Sequence, residues 1–242
     1  MGDGELHVRL ADFGADKRPE YADFPMSRNP SLGVRGVRLL LERTDILGPQ
    51  VRALAAFAKR RPVSVLVPML DTVDTLQRLR SKIAQLCSVR DEALPFQLAA
   101  MIEVPAAALS IEEILSGVEL AAIGLNDLTQ YLMAADREDE AVQQYHDGLQ
   151  PVVLRLVRSV VVAGEAAAKP ISVCGELAGN PALTAALLAL GIRRFSVSRP
   201  DYGLVADLIE RLTISKLDAR REDLLRAATG SEVRQILEEF AA

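Results

Sequence analysis

The segment FQLAAMIEVPAAALSIEEILSGVELAAIG, residues 96–124, is the clearest indication of the fold class. It begins with an almost continuous apolar run, Phe96–Glu103, and it ends with a second one, Leu120–Gly124. Pro105 lies between them, and proline is favoured in the first turn of a helix. A strand, a helix and a second strand in this order form a βα unit, whose strands pair in parallel. Runs that are apolar on both faces indicate strands that helices cover on both sides.

The same alternation of strand-like and helix-like stretches continues along the whole chain. The other predicted strands are Leu6–Asp12, Val63–Pro68, Ile171–Cys174 and Phe195–Ser198. The clearest predicted helices are Val51–Arg60, Val73–Leu86, Val152–Ala168 and Pro181–Leu190, with two further segments, split at Gly230, in Ser215–Ala242. The longest irregular stretch, Gly14–Ser31, contains three prolines and is predicted to be functional or mobile. Six strands that alternate with helices predict one α/β domain, residues 1–242.

Composition argues against a nucleic-acid-binding, a membrane or a secreted protein. Half of the residues are hydrophobic, so a chain of 242 residues can bury a sizeable core. The net charge of −5 argues against nucleic acid or an anionic membrane surface as the main partner. The most apolar tract, Pro151–Gly164, contains two arginines and is too short to span a bilayer. With two cysteines and no basic or apolar leader at the start, the expected location is the cytoplasm.

Polar residues follow the carboxyl ends of two neighbouring predicted strands. Glu103 closes one of them, and Asn126 and Asp127 follow the next after a single intervening residue. Because Asp127 comes one βα unit after Glu103, adjacent strands can present the two carboxylates at one edge of the sheet. Mg²⁺ binds one or two carboxylates together with waters and substrate oxygens, so this pair is a candidate Mg²⁺ site. On spacing alone, Asp127 as a helix N-cap and Glu103 as a solvated strand end explain the residues equally well.

Three arginines are candidates for binding a phosphate or a carboxylate. Arg9 interrupts an apolar strand, where a charge is costly unless it faces a polar site. Arg35 lies in the glycine-containing segment Gly33–Arg38, and Arg137 follows the irregular segment Ala134–Asp136. Guanidinium groups that converge on one site bind such anions bidentately.

The two cysteines differ in context. Cys174 ends a strand and is followed by Gly175, so its thiol can open on the same edge as the carboxylates. From the residue alone, a small buried hydrophobe is the favoured interpretation of such a cysteine. Cys87 lies on a predicted helix without polar motifs around it and is interpreted as structural. His7 and His146 form no metal-binding or triad pattern and are interpreted as incidental.

Eight strings of residues, in order, resemble the active-site strings of one enzyme family. They are VRLADFGADK (Val8–Lys17), NPSLGVRGVRLLLER (Asn29–Arg43), QVRAL (Gln50–Leu54), VPML (Val67–Leu70), MIEVPAAAL (Met101–Leu109), IGLNDLTQYLMAADR (Ile123–Arg137), CGELAGNP (Cys174–Pro181) and LGIRRFSVS (Leu190–Ser198). The family is that of the phosphoenolpyruvate-utilising enzymes, and the similar part is their phosphoenolpyruvate-binding barrel. Enzyme I of the bacterial sugar phosphotransferase system, pyruvate phosphate dikinase and phosphoenolpyruvate synthase carry this barrel.

The resemblance implies a role for each matching residue. Phosphoenolpyruvate would be bound by Arg9, Arg35 and Arg137 through its phosphate and carboxylate, and by Asn126 through its phosphate. Glu103 and Asp127 would hold Mg²⁺. Cys174 would protonate the enolate at its methylene carbon, which reverses the interpretation of this cysteine as a buried hydrophobe. Mg²⁺ and arginines stabilise the enolate that remains when the phosphoryl group leaves, and an acid at carbon then completes pyruvate.

Three departures from the family pattern qualify these expectations. The family's TIM-type (β/α) barrel has eight strands, whereas six are predicted here, and a first pair of βα units with a further substrate arginine has no counterpart. A swivelling phosphohistidine domain is also without a counterpart, so the acceptor histidine is expected in trans. Leu125 replaces a small polar residue beside the phosphate. A barrel with two exposed sheet edges, in a family whose barrels pair, is expected to form a homodimer.

Two functions from different classes follow from this pattern. The first is part of an enzyme: a Mg²⁺-dependent phosphoenolpyruvate-binding domain of a phosphoenolpyruvate-protein phosphotransferase, which interconverts phosphoenolpyruvate and pyruvate. The second is a non-catalytic sensor or scaffold that keeps the pocket without turnover. A fragment of a longer phosphotransferase is a third interpretation. Arg9, Glu103, Asp127 and Cys174 favour the first, whereas Leu125 and the unmatched strands favour the others.

Overall fold

The computed structural model describes residues 5–13, 27–90 and 93–238 of the chain. Most of the predicted irregular stretch Gly14–Ser31 lies outside these residues, apart from its last part, where a short 3₁₀ helix begins at Pro30. None of the helices in the described ranges is both long enough and apolar enough to cross a membrane.

Six strands form one sheet in chain order. They are β1 (Leu6–Arg9), β2 (Val63–Val67), β3 (Gln97–Ile102), β4 (Leu120–Gly124), β5 (Ile171–Cys174) and β6 (Phe195–Ser196). The pairings of β1 with β2, β2 with β3 and β5 with β6 are parallel. The predicted α/β fold, a (β/α) barrel with six of its eight strands, is confirmed.

Helices connect the strands and also follow the last one. They are α1 (Gly36–Glu42), α2 (Thr44–Ala58), α3 (Val73–Cys87), α4 (Pro105–Leu109), α5 (Ile111–Ser116), α6 (Leu125–Met133), α7 (Pro151–Ala166), α8 (Pro181–Ala189), α9 (Tyr202–Arg211), α10 (Ile214–Ala219), α11 (Arg221–Arg226) and α12 (Gly230–Glu238). The helix predicted from Val51 begins seven residues earlier, because α2 accommodates Pro49 in its interior. Because proline usually interrupts a helix, the helix was predicted to start only after Pro49.

Four strands are shorter than their apolar runs predicted: β2 and β3 by a single residue at one or both ends, and β1 and β6 by more. The predicted strand Leu6–Asp12 ends at Arg9, although one more ladder bond follows, from the N–H of Leu10 to the carbonyl oxygen of Leu66 (2.9 Å). The next ladder position on β2 is Pro68, which has no N–H to donate and whose carbonyl oxygen accepts the N–H of Val37 (3.1 Å). The last strand comprises Phe195 and Ser196 alone, within the predicted Phe195–Ser198.

The chain divides into two compact units. The first contains Met1–Ile102 and Glu113–Ala121, and the second contains Glu103–Glu112 and Ala122–Ala242. In the first, α2 packs on α3 and the sheet through buried aliphatic side chains such as Leu47, Val65 and Leu79. In the second, α7 packs on β5 and α11, and α8 packs on α9, α10 and α12. Each unit therefore has a hydrophobic core of its own.

Candidate functional site

Two of the predicted substrate arginines share one carboxylate in the first unit. Arg35 donates through Nε and Nη2 to the two carboxylate oxygens of Asp12, at 3.3 and 2.7 Å. Arg9 Nη1 lies 3.5 Å from Oδ2 of the same residue. The side chains of Arg35 and Asp12 are almost fully buried, whereas half of the Arg9 side chain is exposed. Asp12 therefore brings Arg9 and Arg35 together, although sequence reasoning assigned it no role.

Backbone contacts hold the segments that carry these two arginines. Gln50, on α2, donates to the carbonyl oxygen of Arg9 (3.2 Å) and accepts the N–H of Ala11 (2.9 Å). After Arg35 the chain turns through Gly36, whose φ of +52° lies in the left-handed region that glycine tolerates best. A Cβ on Gly36 would also lie 2.7 Å from the Cβ of Met69. The turn that points Arg35 toward Asp12 thus depends on a glycine.

Glu103 in the second unit is buried at the carboxyl end of β3. Its residue exposure is 2%, so the interpretation as a solvated strand end is wrong. The side chain lies against Gly124, the last residue of β4, because a Cβ there would come within 2.5 Å of Glu103 Oε1 and 2.9 Å of its Cδ. Because Gly124 has no side chain, the end of β4 has room for the Glu103 carboxylate. Gly124 lies three residues before Asp127 in the chain.

Asp127 lies in the first turn of α6, which follows β4 without a loop. The N-cap of this helix is Gly124, so Asp127 is not the N-cap that spacing alone allowed. Its Oδ2 lies 3.5 Å from Nη1 of Arg137, and both side chains are mostly buried. The N–H of Arg137 donates to Oε1 of the buried Gln130 (3.1 Å), which fixes the loop that carries the arginine. Two predicted site residues, Asp127 and Arg137, are thus an ion pair.

Asn126 is held by three residues from later in the chain. Its Oδ1 accepts the N–H of Leu177 (3.1 Å), and its carbonyl oxygen lies 2.9 Å from Nε2 of His146. Gly175 has a φ of +105°, and a Cβ on it would come within 2.8 Å of Asn126 Oδ1. Among the described residues, Nδ2 of Asn126 has no hydrogen-bond acceptor, so this donor is the group that can meet an anion. His146, interpreted as incidental from the sequence, therefore orders this turn.

Cys174 ends β5, next to the same turn. Its thiol is half-buried and donates to the carbonyl oxygen of Ile123, at 3.5 Å from sulfur. Burial raises the pKa of the thiol of Cys87, the last residue of α3. A protonated thiol on a helix away from the strand ends agrees with a structural role for Cys87.

A cavity of about 660 Å³ in the second unit is not lined by the predicted site residues. Its lining includes residues of α8, α9 and α12 and the segment 146–149, and it contains both apolar side chains such as Leu183 and charged ones such as Arg234. Two of the residues that hold Asn126, His146 and Leu177, form part of its wall. The cavity therefore lies behind the Asn126 turn and is distinct from the carboxylates and arginines described above.

The chain matches one known protein family over most of its length. Residues 1–213 match the family described as PEP-utilising enzyme, PEP-binding domain. The chain belongs to this family. The resemblance to phosphoenolpyruvate-utilising enzymes, first stated from the quoted strings, is thereby confirmed.

Curated relatives of this PEP-binding domain carry phosphotransferase names. The chain is 34% identical over 238 residues to the phosphoenolpyruvate-protein phosphotransferase of Haemophilus influenzae, covering 96% of the chain and 41% of the relative. It is 37% identical over 232 residues to the multiphosphoryl transfer protein of Xanthomonas campestris pv. campestris, covering 96% of the chain and 28% of the relative. The chain thus spans about two fifths or less of the length of these relatives.

A crystal structure of a citrate lyase from Burkholderia xenovorans LB400 is similar in fold. The TM-score is 0.50 at 16% sequence identity, and the alignment covers 80% of this chain and 67% of the other. At this level of identity the likeness concerns the fold alone.

Leu125, the residue that departs from the family pattern, is fully buried at the start of α6.

Proposed function

We propose that this chain binds phosphoenolpyruvate together with Mg²⁺ and performs the phosphoenolpyruvate–pyruvate half of a phosphoryl transfer. The observation that carries the proposal is the arrangement of the second unit. Glu103 lies against the end of β4, Asp127 pairs with Arg137, and Cys174 bonds to the backbone of β4. Carboxylates, a guanidinium group and a thiol at the carboxyl ends of β3, β4 and β5 match the usual position of the active site in (β/α) barrels.

The residues present fit a Mg²⁺ ion. Mg²⁺ prefers oxygen ligands and keeps several waters, so one or two protein carboxylates and substrate oxygens complete its octahedral shell. Glu103 and Asp127 are the carboxylates that would hold it, and both are buried. When bound, Mg²⁺ stabilises the negative charge that develops on the substrate oxygens.

The chain's own side chains would divide the remaining work. We assign Arg9, Arg35 and Arg137 to the phosphate and carboxylate of phosphoenolpyruvate, because guanidinium groups bind both bidentately. Nδ2 of Asn126 would donate to the phosphate, since its Oδ1 is already bonded to Leu177. As the P–O bond to the enol oxygen breaks, the phosphoryl group passes to the acceptor and the enolate remains. The S–H bond of Cys174 then breaks as a C–H bond forms at the methylene carbon, and the product is pyruvate.

The acceptor in this proposal is a histidine on another domain or another chain. We expect no phosphoryl transfer by the purified 242 residues alone, in keeping with the share of the relatives' length that they span. A chain that binds phosphoenolpyruvate yet supports no transfer to any supplied histidine domain would match the sensor or scaffold instead. The expected homodimer and the expected cytoplasmic location stay predictions.

Metal removal tests the binding half of the proposal. Titration calorimetry with millimolar phosphoenolpyruvate should give a binding heat in the presence of Mg²⁺, which chelation of the metal abolishes. Glu103→Gln removes one metal-binding charge and keeps the size of the side chain. We expect it to weaken Mg²⁺-dependent binding by roughly tenfold to hundredfold, the usual effect of losing a charge-assisted contact.

The matched control for Glu103→Gln is Glu112→Gln. Glu112 is exposed on α5, so the same chemical change there should leave binding as it was. Absence of heat in the wild-type chain with and without Mg²⁺ would count against the proposed function. Equal binding by Glu103→Gln and the wild type would remove Glu103 from the metal site.

Replacement of the thiol separates binding from protonation. Cys174→Ala should leave the affinity for phosphoenolpyruvate within about twofold and should slow pyruvate release by roughly a hundredfold or more, the usual contribution of a general acid. The rate is measured with the histidine-bearing part of a phosphotransferase relative supplied in trans. Cys87→Ala is the control and should not alter the rate, since Cys87 ends α3. A normal rate for Cys174→Ala would return Cys174 to a structural role.

A further inference from the structure

One carboxylate in the first unit stands between two arginines assigned to an anionic substrate. Asp12 accepts two hydrogen bonds from Arg35 and lies 3.5 Å from Arg9. Its side chain is 3% exposed. A negative charge at a site for an anion needs an explanation, because it repels the ligand that the arginines attract.

The burial of Arg35 supplies that explanation. Its side chain is 2% exposed, and a buried guanidinium charge is costly without an opposite charge and hydrogen bonds. The two bonds to Asp12 run from Nε and Nη2 to separate oxygens, and this fork geometry fixes the plane of the guanidinium group. The charge of Asp12 also reduces the repulsion between Arg9 and Arg35. The three residues together keep one net positive charge.

The structure assigns Asp12 the role of a positioning residue. It holds the guanidinium groups of Arg35 and Arg9 in fixed orientations for phosphoenolpyruvate and does not itself contact the substrate. The inference rests on the proposed function, because it concerns the same bound molecule. Its mechanism is preorganisation: guanidinium groups already in place lose less conformational entropy when the anion binds. Gln50 contributes in the same way by fixing the backbone on both sides of Leu10.

The test compares three variants of the chain. Asp12→Asn removes the charge and keeps the shape, and Asp12→Glu keeps the charge but displaces it by one methylene. Asp45→Asn is the matched control, because Asp45 pairs with Arg43 through the same two-bond geometry on an exposed surface. The hydrogen bond from Arg43 lowers the pKa of Asp45, so this control also removes a carboxylate charge.

Calorimetry with phosphoenolpyruvate and Mg²⁺ is the first readout. We expect both Asp12 variants to bind about tenfold to hundredfold more weakly than the wild type, and Asp45→Asn to bind equally well. Weaker binding by Asp12→Glu, which keeps the negative charge, shows that the position of the charge matters as well as its sign. An unchanged or tighter affinity in the folded Asp12 variants would overturn the inference and leave the proposed function standing.

Nitrogen-15 NMR of arginine Nε–H groups is the second readout and needs no substrate. In the wild type the Nε–H of Arg35 should exchange slowly with water, because it is buried and bonded to Asp12. Asp12→Asn should speed this exchange at least tenfold, an effect expected when a buried charge-assisted bond weakens. Unaltered exchange would overturn the inference. If the wild type binds no phosphoenolpyruvate, the proposed function fails, and this readout still decides whether Asp12 orders Arg35.

Discussion

Replacing Arg35 with methionine will destabilise the chain by about 3–5 kcal/mol, the usual cost of removing one partner from a buried ion pair. Methionine has a similar length, so the main change is the loss of the guanidinium group from Asp12, which stays buried. For a chain of this size the melting temperature should fall by roughly 6–20 °C. Binding of phosphoenolpyruvate should also weaken. Thermal unfolding followed by circular dichroism, with calorimetry below the transition, measures both effects.

Arg38→Met is the matched control for this experiment. Arg38 lies on α1, three residues after Arg35, and pairs with Asp71 at 3.2 Å, but its side chain is 41% exposed. Burial alone would raise the pKa of Asp71, but hydrogen bonds from Thr75 and Arg38 outweigh it and lower the pKa. Exposed ion pairs contribute at most about 1 kcal/mol, so this variant should melt within roughly 4 °C of the wild type. Equal effects of the two replacements would contradict the view that burial makes the Arg35–Asp12 pair special.

Adding one methyl group at Gly124 should have the second-largest effect. Gly124 has a φ of −82°, which alanine adopts without strain, so the effect of Gly124→Ala comes from collision with Glu103. We expect a loss of about 1–3 kcal/mol of stability from overpacking. The displaced carboxylate should weaken Mg²⁺-dependent binding of phosphoenolpyruvate by roughly tenfold to hundredfold. Urea unfolding and calorimetry of the same preparations measure the two effects.

Gly203→Ala is the control for the methyl group itself. Gly203 lies in α9, and a Cβ there would meet no described atom within 4 Å. Alanine is the better helix former by about 0.5–1 kcal/mol, so this variant should be slightly more stable and should bind phosphoenolpyruvate normally. If Gly124→Ala behaves in the same way, Glu103 does not lie where its contact with Gly124 places it.

The fold was predictable because the strand signal in this chain is simple. Both β2 and β4 are fully buried, and the apolar runs VSVLV and LAAIG mark them without ambiguity. The ends of elements were less predictable, because contacts with other segments decide them. The carbonyl oxygen of Pro68 accepts the N–H of Val37 and not one from β1, and α2 continues through Pro49. Neither event leaves a periodic signal in the sequence.

The reactive side chains of the candidate site were predictable from the sequence, because their chemistry depends on residue type. The residues that hold these side chains in place were not predictable. Arginines, carboxylates and a cysteine in recognisable strings identified the groups that can act on a substrate. The residues that hold them, such as Asp12, Gln130 and His146, act through hydrogen bonds across 7 to 23 positions. Such bonds are invisible to spacing arguments. Gly124 and Gly175 were also missed, because the need for a glycine there arises from a neighbour distant in the chain.

The turn at Asn126 also has a consequence for the order of events during synthesis. Its hydrogen bonds come from His146 and Leu177, 20 and 51 positions later, and Cys174 reaches Ile123 across another 51. Closing loops of this length is entropically costly, so such contacts form after local helices. A chain emerging from the ribosome must therefore extend past Leu177 before the Asn126 carboxamide is fixed. The orientation of a single amide group thus reports that the second unit has folded at least as far as Leu177.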